Sequence, residues 1–244
     1  MIEYFLISLV FILGPAVDAA IGGGGGFFIV PALILLKVEP IVAVASMLVA
    51  FSGALIGGLI KLRKSEYFHF DKNHTSYILL AAVGGIIGVF VALDLDPGAL
   101  KKIIALLLFV MLILWLLPKR EKSLSLPFPK LIIPIAFFCT GIYFSVVGSG
   151  VAFLITFLFL FLTQKGLKDV LASRLITGLF LILVIAPFYI WNGKVDFTIT
   201  VIGFFSALAG GYVGVHYFVK IPEKILRIVF TVVTLVSIGM MFFV

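Results

Sequence analysis

The sequence predicts an all-α polytopic membrane protein. It is built from two four-segment repeats in inverted orientation, each opening with a glycine-broken re-entrant segment. Three observations carry this. Of 244 residues, 63% are hydrophobic and 12% are charged, about half the charged share of a soluble domain. Apolar runs of about 20 residues, the length that spans a bilayer, recur along the chain. Five consecutive glycines, Gly22 to Gly26, interrupt one such run. Each would cost a helix about 1 kcal/mol relative to Ala, and lipid offers no water to the backbone groups a break sets free.

The first apolar segment runs from Ile2 to Leu36 and contains Gly14-Pro15 and the glycine run. It is too long for one crossing and short for two. Spans follow at Ile41–Ile60, from Ser76 to Leu95, and from the turn at Asp94–Gly98 to Leu117. The linker of residues 118–130, PKREKSLSLPFPK, is polar and holds three prolines. It divides the chain into a first repeat, 1–117, and a second, 131–244. The second repeats the plan: an overlong segment from Leu131 to Leu162 broken at Gly141 and at Gly148-Ser149-Gly150, then Leu171–Trp191, Phe197–Val219 and Ile225–Val244. At an offset near 126, Gly22 falls on Gly148, Gly24 on Gly150 and Phe27 on Phe153, while Gly85 and Gly88 fall on Gly211 and Gly214. Ala45-Ser46 falls on Ala172-Ser173. Paired Gly/Pro-interrupted segments are a common mark of a transporter binding site.

Charge sets the orientation of the repeats. If each unit crossed once, the eighteen Lys and Arg would divide nine to nine. If the two overlong segments dip in and return, fourteen fall on one side and four on the other. The asymmetric split is what the positive-inside rule selects. It predicts inverted repeats, with glycine turns meeting near midplane and both termini outside.

The formal charge of +7 lies in the loops, where it reports orientation and lipid headgroups rather than nucleic acid. The N-terminus, MIEYFLISLV, lacks a basic region ahead of its apolar run, so no cleavable signal is expected. One cysteine, Cys139, leaves no internal disulfide. No cofactor or metal is called for, and no Ser/His/Asp set, HExxH or paired aspartates in facing spans support an intramembrane enzyme.

The pattern G-x7-G-x-G-G-G-x4-P from Gly14 to Pro31, with its Gly148-Ser149-Gly150 partner, the Ala45-Ser46 match and the four-plus-four plan, resembles the sulfite exporter TauE/SafE family. The resemblance covers nearly the whole chain. It implies a prokaryotic inner-membrane carrier of small sulfur-containing anions: sulfite, an organosulfonate or thiosulfate. Partners would be that anion and membrane lipid, with a homo-oligomer allowed. The second half departs from the family pattern, with Val151 and Ala152 in place of glycines and Phe157 in place of the proline.

A helix that starts at a glycine turn aims unpaired N–H groups and its positive dipole end at the turn. The expected anion site is therefore Gly22, Gly23, Gly24, Gly25 and Gly26 with Gly148 and Gly150, together with the hydroxyls of Ser46, Ser149 and Ser173. Neutral donors hold an oxyanion without trapping it. Arg174 either forks onto a tetrahedral oxyanion or snorkels to the interface beside Lys165 and Lys168. Asp18, deep in the first segment, is the ion-coupling candidate; Phe144 stands at its matched position. Cys139 reads as a small packing residue, His216 as interfacial, and Trp115, Trp191 and Tyr189 as an interfacial belt. The same chemistry allows an anion channel, or a proton-coupled carrier of another small organic anion.

Overall fold

A computed structural model describes residues 2–21, 26–70, 74–100, 102–104, 106, 129–148, 150–163 and 169–217. Gly22 to Gly25, Ser149, Trp115, Lys165, Lys168, the linker of 118–128 and the final span of 225–244 lie outside the described residues. The described part is helical: α1 Ile2–Ile21, α2 Gly26–Leu35, α3 Pro40–Leu62, α4 Thr75–Asp94, α5 Pro129–Val147, α6 Val151–Thr163, α7 Leu171–Trp191 and α8 Phe197–Tyr217. Helical backbone also resumes at 97–100, where Asp96 accepts the Ala99 N–H at 2.8 Å ahead of Pro97, a start that suits both residues.

Four helices, α3, α4, α7 and α8, are long and apolar enough to cross a membrane. Their outer faces read as lipid-facing. On α4 the exposed large apolar residues are Leu79, Leu80, Val83, Ile87, Phe90 and Val91, a helical stripe. Its opposite face carries Gly84, Gly85 and Gly88, all buried. That contrast of bulky outside and small inside suits helices that associate in lipid by close approach rather than by hydrophobic burial.

Close approach fixes which helices touch. The Phe138 and Ile142 carbonyls of α5 occupy the space where Gly84 and Gly88 of α4 would otherwise carry a Cβ. The Ile12 and Ala16 carbonyls of α1 do the same against Gly210 and Gly214 of α8. Every residue in the second contact stands 126 positions from its counterpart in the first. The main pairings also come in matched sets: α1 with α8 and α4 with α5, α3 with α8 and α4 with α7, α1 with α2 and α5 with α6, α2 with α3 and α6 with α7.

The same contacts give helix direction. Gly53 and Gly57 of α3 face Phe204 and Leu208 of α8, so these two run parallel. By the same criterion α1 is parallel to α8, and α4 to α5. Gly85 and Phe90 of α4 meet Ile185 and Phe188 of α7 in the same order. Across the middle, Leu55 lies against Gly178 and Gly58 against Leu175, so α3 and α7 are antiparallel. One set therefore contains α1, α3 and α8, and the opposed set contains α4, α5 and α7.

Several expectations change. Gly141 does not break its segment: α5 runs through it. Gly141 instead admits the Ala81 carbonyl of α4, so it serves packing. Tyr189 is not an interfacial residue. It is fully buried, and its hydroxyl donates to the Ser145 carbonyl at 2.7 Å. The Ser145 hydroxyl in turn donates to the Gly85 carbonyl at 2.6 Å, tying α5 to α4. Cys139 is exposed rather than packed inside, and Trp191 is 90% exposed at the end of α7.

Candidate functional site

The chain breaks between α5 and α6 for a local reason. α5 ends at Val147, and the Gly148 N–H still reaches back to the Phe144 carbonyl at 2.8 Å. Gly148 then turns left-handed at φ +70°, and Gly150 follows at φ +75°. L side chains adopt this conformation at a cost of about 1–2 kcal/mol, which glycine avoids. α6 restarts at once at Val151, so its first N–H groups open onto the turn. α2 likewise starts at Gly26, beyond the first glycine run.

The two helix starts meet in one cavity. It is lined by Asp18 of α1, Gly26 of α2, Phe51 and Leu55 of α3, Phe144 of α5, Gly148, Gly150, Val151, Ala152 and Ile155 around the second turn, and Arg174 and Gly178 of α7. It measures about 30 Å³, room for one or two waters. An oxyanion of four or more heavy atoms enters only if the walls move apart.

Arg174 dominates this cavity. It is 2% exposed, so it does not snorkel, and the charge asymmetry of the loops becomes thirteen to four without it. Its Nη1 lies 3.7 Å from Asp18 Oδ2 and donates to the Asp18 backbone carbonyl at 3.4 Å. Its Nε and Nη2 are buried and unpaired among the described residues. Those two N–H groups lie on one edge of the guanidinium, the edge that takes two oxygens of a carboxylate, sulfonate or phosphate. Asp18 sits in the last turn of α1, where the helix dipole disfavours an acid; the guanidinium offsets this. With Arg174 and Asp18 cancelling, the partial positive charge of the α2 and α6 starts remains. A small oxyanion fits that field.

The structure brings together Asp18, Gly26, Gly148, Gly150 and Arg174 in this cavity. Ser173 is buried beside Arg174 but is not one of the lining residues. Ser46 is fully buried, and its Oγ accepts the Asp196 N–H at 2.8 Å, ahead of α8. Asp196 in turn accepts the Ile199 N–H at 3.0 Å. Ser46 thus ties α3 to the start of α8, helped by the Lys194–Glu39 pair at 3.7 Å. Replacing it with alanine should lower stability by about 1 kcal/mol and leave anion affinity unchanged; unfolding and binding titrations of Ser46→Ala check both.

The apolar wall escaped sequence reasoning. Phe51, Leu55, Phe144, Ile155 and Gly178 carry no signal that separates them from other membrane residues. One clue was present. Phe144 falls on Asp18 and Ala152 on Gly26 at the 126 offset, and Met47 falls on Arg174 through the Ala45-Ser46 match. Met47 packs against Gly148, as Arg174 packs against Asp18 near the first run.

A comparison with protein-family models matches residues 6–241 to the model described as Sulfite exporter TauE/SafE. No curated protein and no solved structure matches the chain.

Proposed function

The chain belongs to the sulfite exporter TauE/SafE family of membrane transporters, and from that membership we propose that it is a secondary carrier of a small sulfur-containing anion. The substrate is sulfite, an organosulfonate or thiosulfate. The observation that carries the proposal is the buried, unpaired Nε–Nη2 edge of Arg174, set in a cavity between two glycine-turn helix starts. Gly22 to Gly26, Gly148, Ser149 and Gly150 supply backbone and hydroxyl donors, with Ser173 alongside.

Transport proceeds by alternating access in the inner membrane. The helix directions support inverted repeats: swapping equivalents α1 for α5, α3 for α7 and α4 for α8 exchanges the two opposed sets. They also support the dip-and-return reading of the opening segments, because α1 and α3 run the same way. A chain in which each unit crossed once would set those two antiparallel. The cavity, narrow at about 30 Å³, favours a carrier over a channel of the same chemistry, since a site this small must widen to load.

The test is thermal unfolding of the purified protein at matched ionic strength with sulfite, thiosulfate, taurine, methanesulfonate, a small carboxy-sulfonate, sulfate and chloride. A ligand of the folded state adds about 2.7 kcal/mol at a hundred times Kd, a rise in Tm of roughly 5–10 °C for a domain of this size. A shift with sulfur anions and none with chloride is expected. A flat response across the panel would remove the anion site.

A further inference from the structure

We propose that the protein carries one proton with each anion, the proton residing on the Asp18 carboxylate while the anion occupies Arg174. This rests on the carrier reading above and adds a co-substrate to it.

Charge must balance in a narrow, buried site. In the empty protein Asp18 and Arg174 neutralise one another, with side chains 6% and 2% exposed and Oδ2 at 3.7 Å from Nη1. A monovalent oxyanion on Nε and Nη2 would place a second negative charge against the same guanidinium, inside a cavity of about 30 Å³. Two anions sharing one site at such range disfavour one another strongly, and the ordinary outcome is that one takes a proton. Among the described neighbours no ionisable side chain offers a full counter-charge, and the α2 and α6 starts supply only partial charge. α2 and α6 contain no titratable residue. On α3 the titratable residue is Lys61, whose Nζ stands over the Tyr212 ring at 5.3 Å. α8 contributes Tyr212, His216 and Tyr217, all on its exposed side. α7 contributes Tyr189, engaged with the Ser145 carbonyl, and α5 contributes Lys130 in its first turn, the exposed Cys139 and Tyr143, a neutral phenol. The compensating charge is therefore a proton from bulk water, bound to a carboxylate oxygen of Asp18.

The cycle then balances. The empty pair is neutral, and the loaded site, Arg174 cation with substrate anion and protonated Asp18, is neutral as well. On the far side the anion leaves, the proton returns to water and Asp18 closes back onto Nη1. Asp18 acts as the internal stand-in for the substrate, so the guanidinium is never left uncompensated in the interior. Movement of the loaded site carries no net charge.

The experiment measures methanesulfonate binding to the purified full chain between pH 5 and 8, with proton release or uptake followed in weakly buffered solution. This anion stays ionised throughout the range, so any proton belongs to the protein. Expected for the wild type is uptake of about one proton per anion bound and an affinity that falls roughly tenfold per pH unit wherever the empty site holds Asp18 ionised. Asp18→Asn is expected to bind without proton uptake and without pH dependence. Wild-type binding with no proton uptake overturns the proposal and leaves the carrier reading standing. No binding of methanesulfonate, thiosulfate or sulfite at any pH overturns both. If Asp18→Asn does not fold, the wild-type stoichiometry alone decides.

Discussion

Replacing Arg174 with methionine, the residue that Met47 offers when Ala45-Ser46 is set on Ala172-Ser173, is expected to abolish anion binding and to destabilise the protein by about 3–5 kcal/mol. The two effects have separate causes. Stability falls because a buried ion pair loses one partner, and the Asp18 carboxylate loses the guanidinium that holds it at 3.7 Å; breaking such a pair has a cost of that order. Binding is lost because the unpaired Nε and Nη2 disappear. A double variant separates the two. Asp18→Asn with Arg174→Met removes both charges, and neutral replacement of a buried pair is often without cost. Its stability should return close to wild type while anion binding stays absent. Unfolding measurements and anion titrations on the three variants check this. Wild-type affinity in Arg174→Met would mean that the anion does not rest on the guanidinium.

The second large effect is expected from Gly148→Val. The left-handed conformation at φ +70° costs an L residue about 1–2 kcal/mol. The space is also filled: a Cβ there would stand 2.8 Å from Met47 Cε and 3.2 Å from Val44 Cγ1, and valine adds two further carbons. Overpacking of this kind costs about 1–3 kcal/mol. Met47 can swing its Cε aside, so the remaining relief against Val44 comes from moving the turn off α3, which shifts the α6 start away from the cavity. The variant should still insert into the membrane, lose roughly 2–5 kcal/mol of stability and lose transport. Gly193→Ala is the control. Its φ is +65° and no atom lies within 4 Å of its Cβ position, so it carries the backbone cost alone and should transport normally. Equal losses in the two variants would assign the effect to backbone strain rather than to the packed turn.

Much of the fold was legible because lipid imposes it. Long apolar runs must become helices, since no other local structure satisfies the backbone there, and α3, α4, α7 and α8 fall within a few residues of the runs at Ile41, Ser76, Leu171 and Phe197. The glycine turn at 148–150 was legible for a related reason: two glycines around one serine cannot continue a helix cheaply. Gly141 misled, because a small residue marks a break and a close helix contact alike. The interior position of Tyr189 carried no mark at all. A tyrosine near a helix end reads as interfacial until a carbonyl, here that of Ser145, is found within reach of its hydroxyl.

What the sequence determined by itself was the solvent, the helices, the glycine turn after α5 and the family. These follow from composition and local spacing, which act within one or two turns of chain. What only the tertiary structure decided was which groups share a space. Asp18 and Arg174 lie 156 residues apart, and either could have faced headgroups or a lone cavity. Their pairing depends on α1 and α7 being brought together by glycine contacts on other helices. Ser46, matched in sequence to Ser173, was drawn instead to the Asp196 N–H. Electrostatic partnership in a membrane interior is set by proximity across the bundle, and no local pattern encodes that distance.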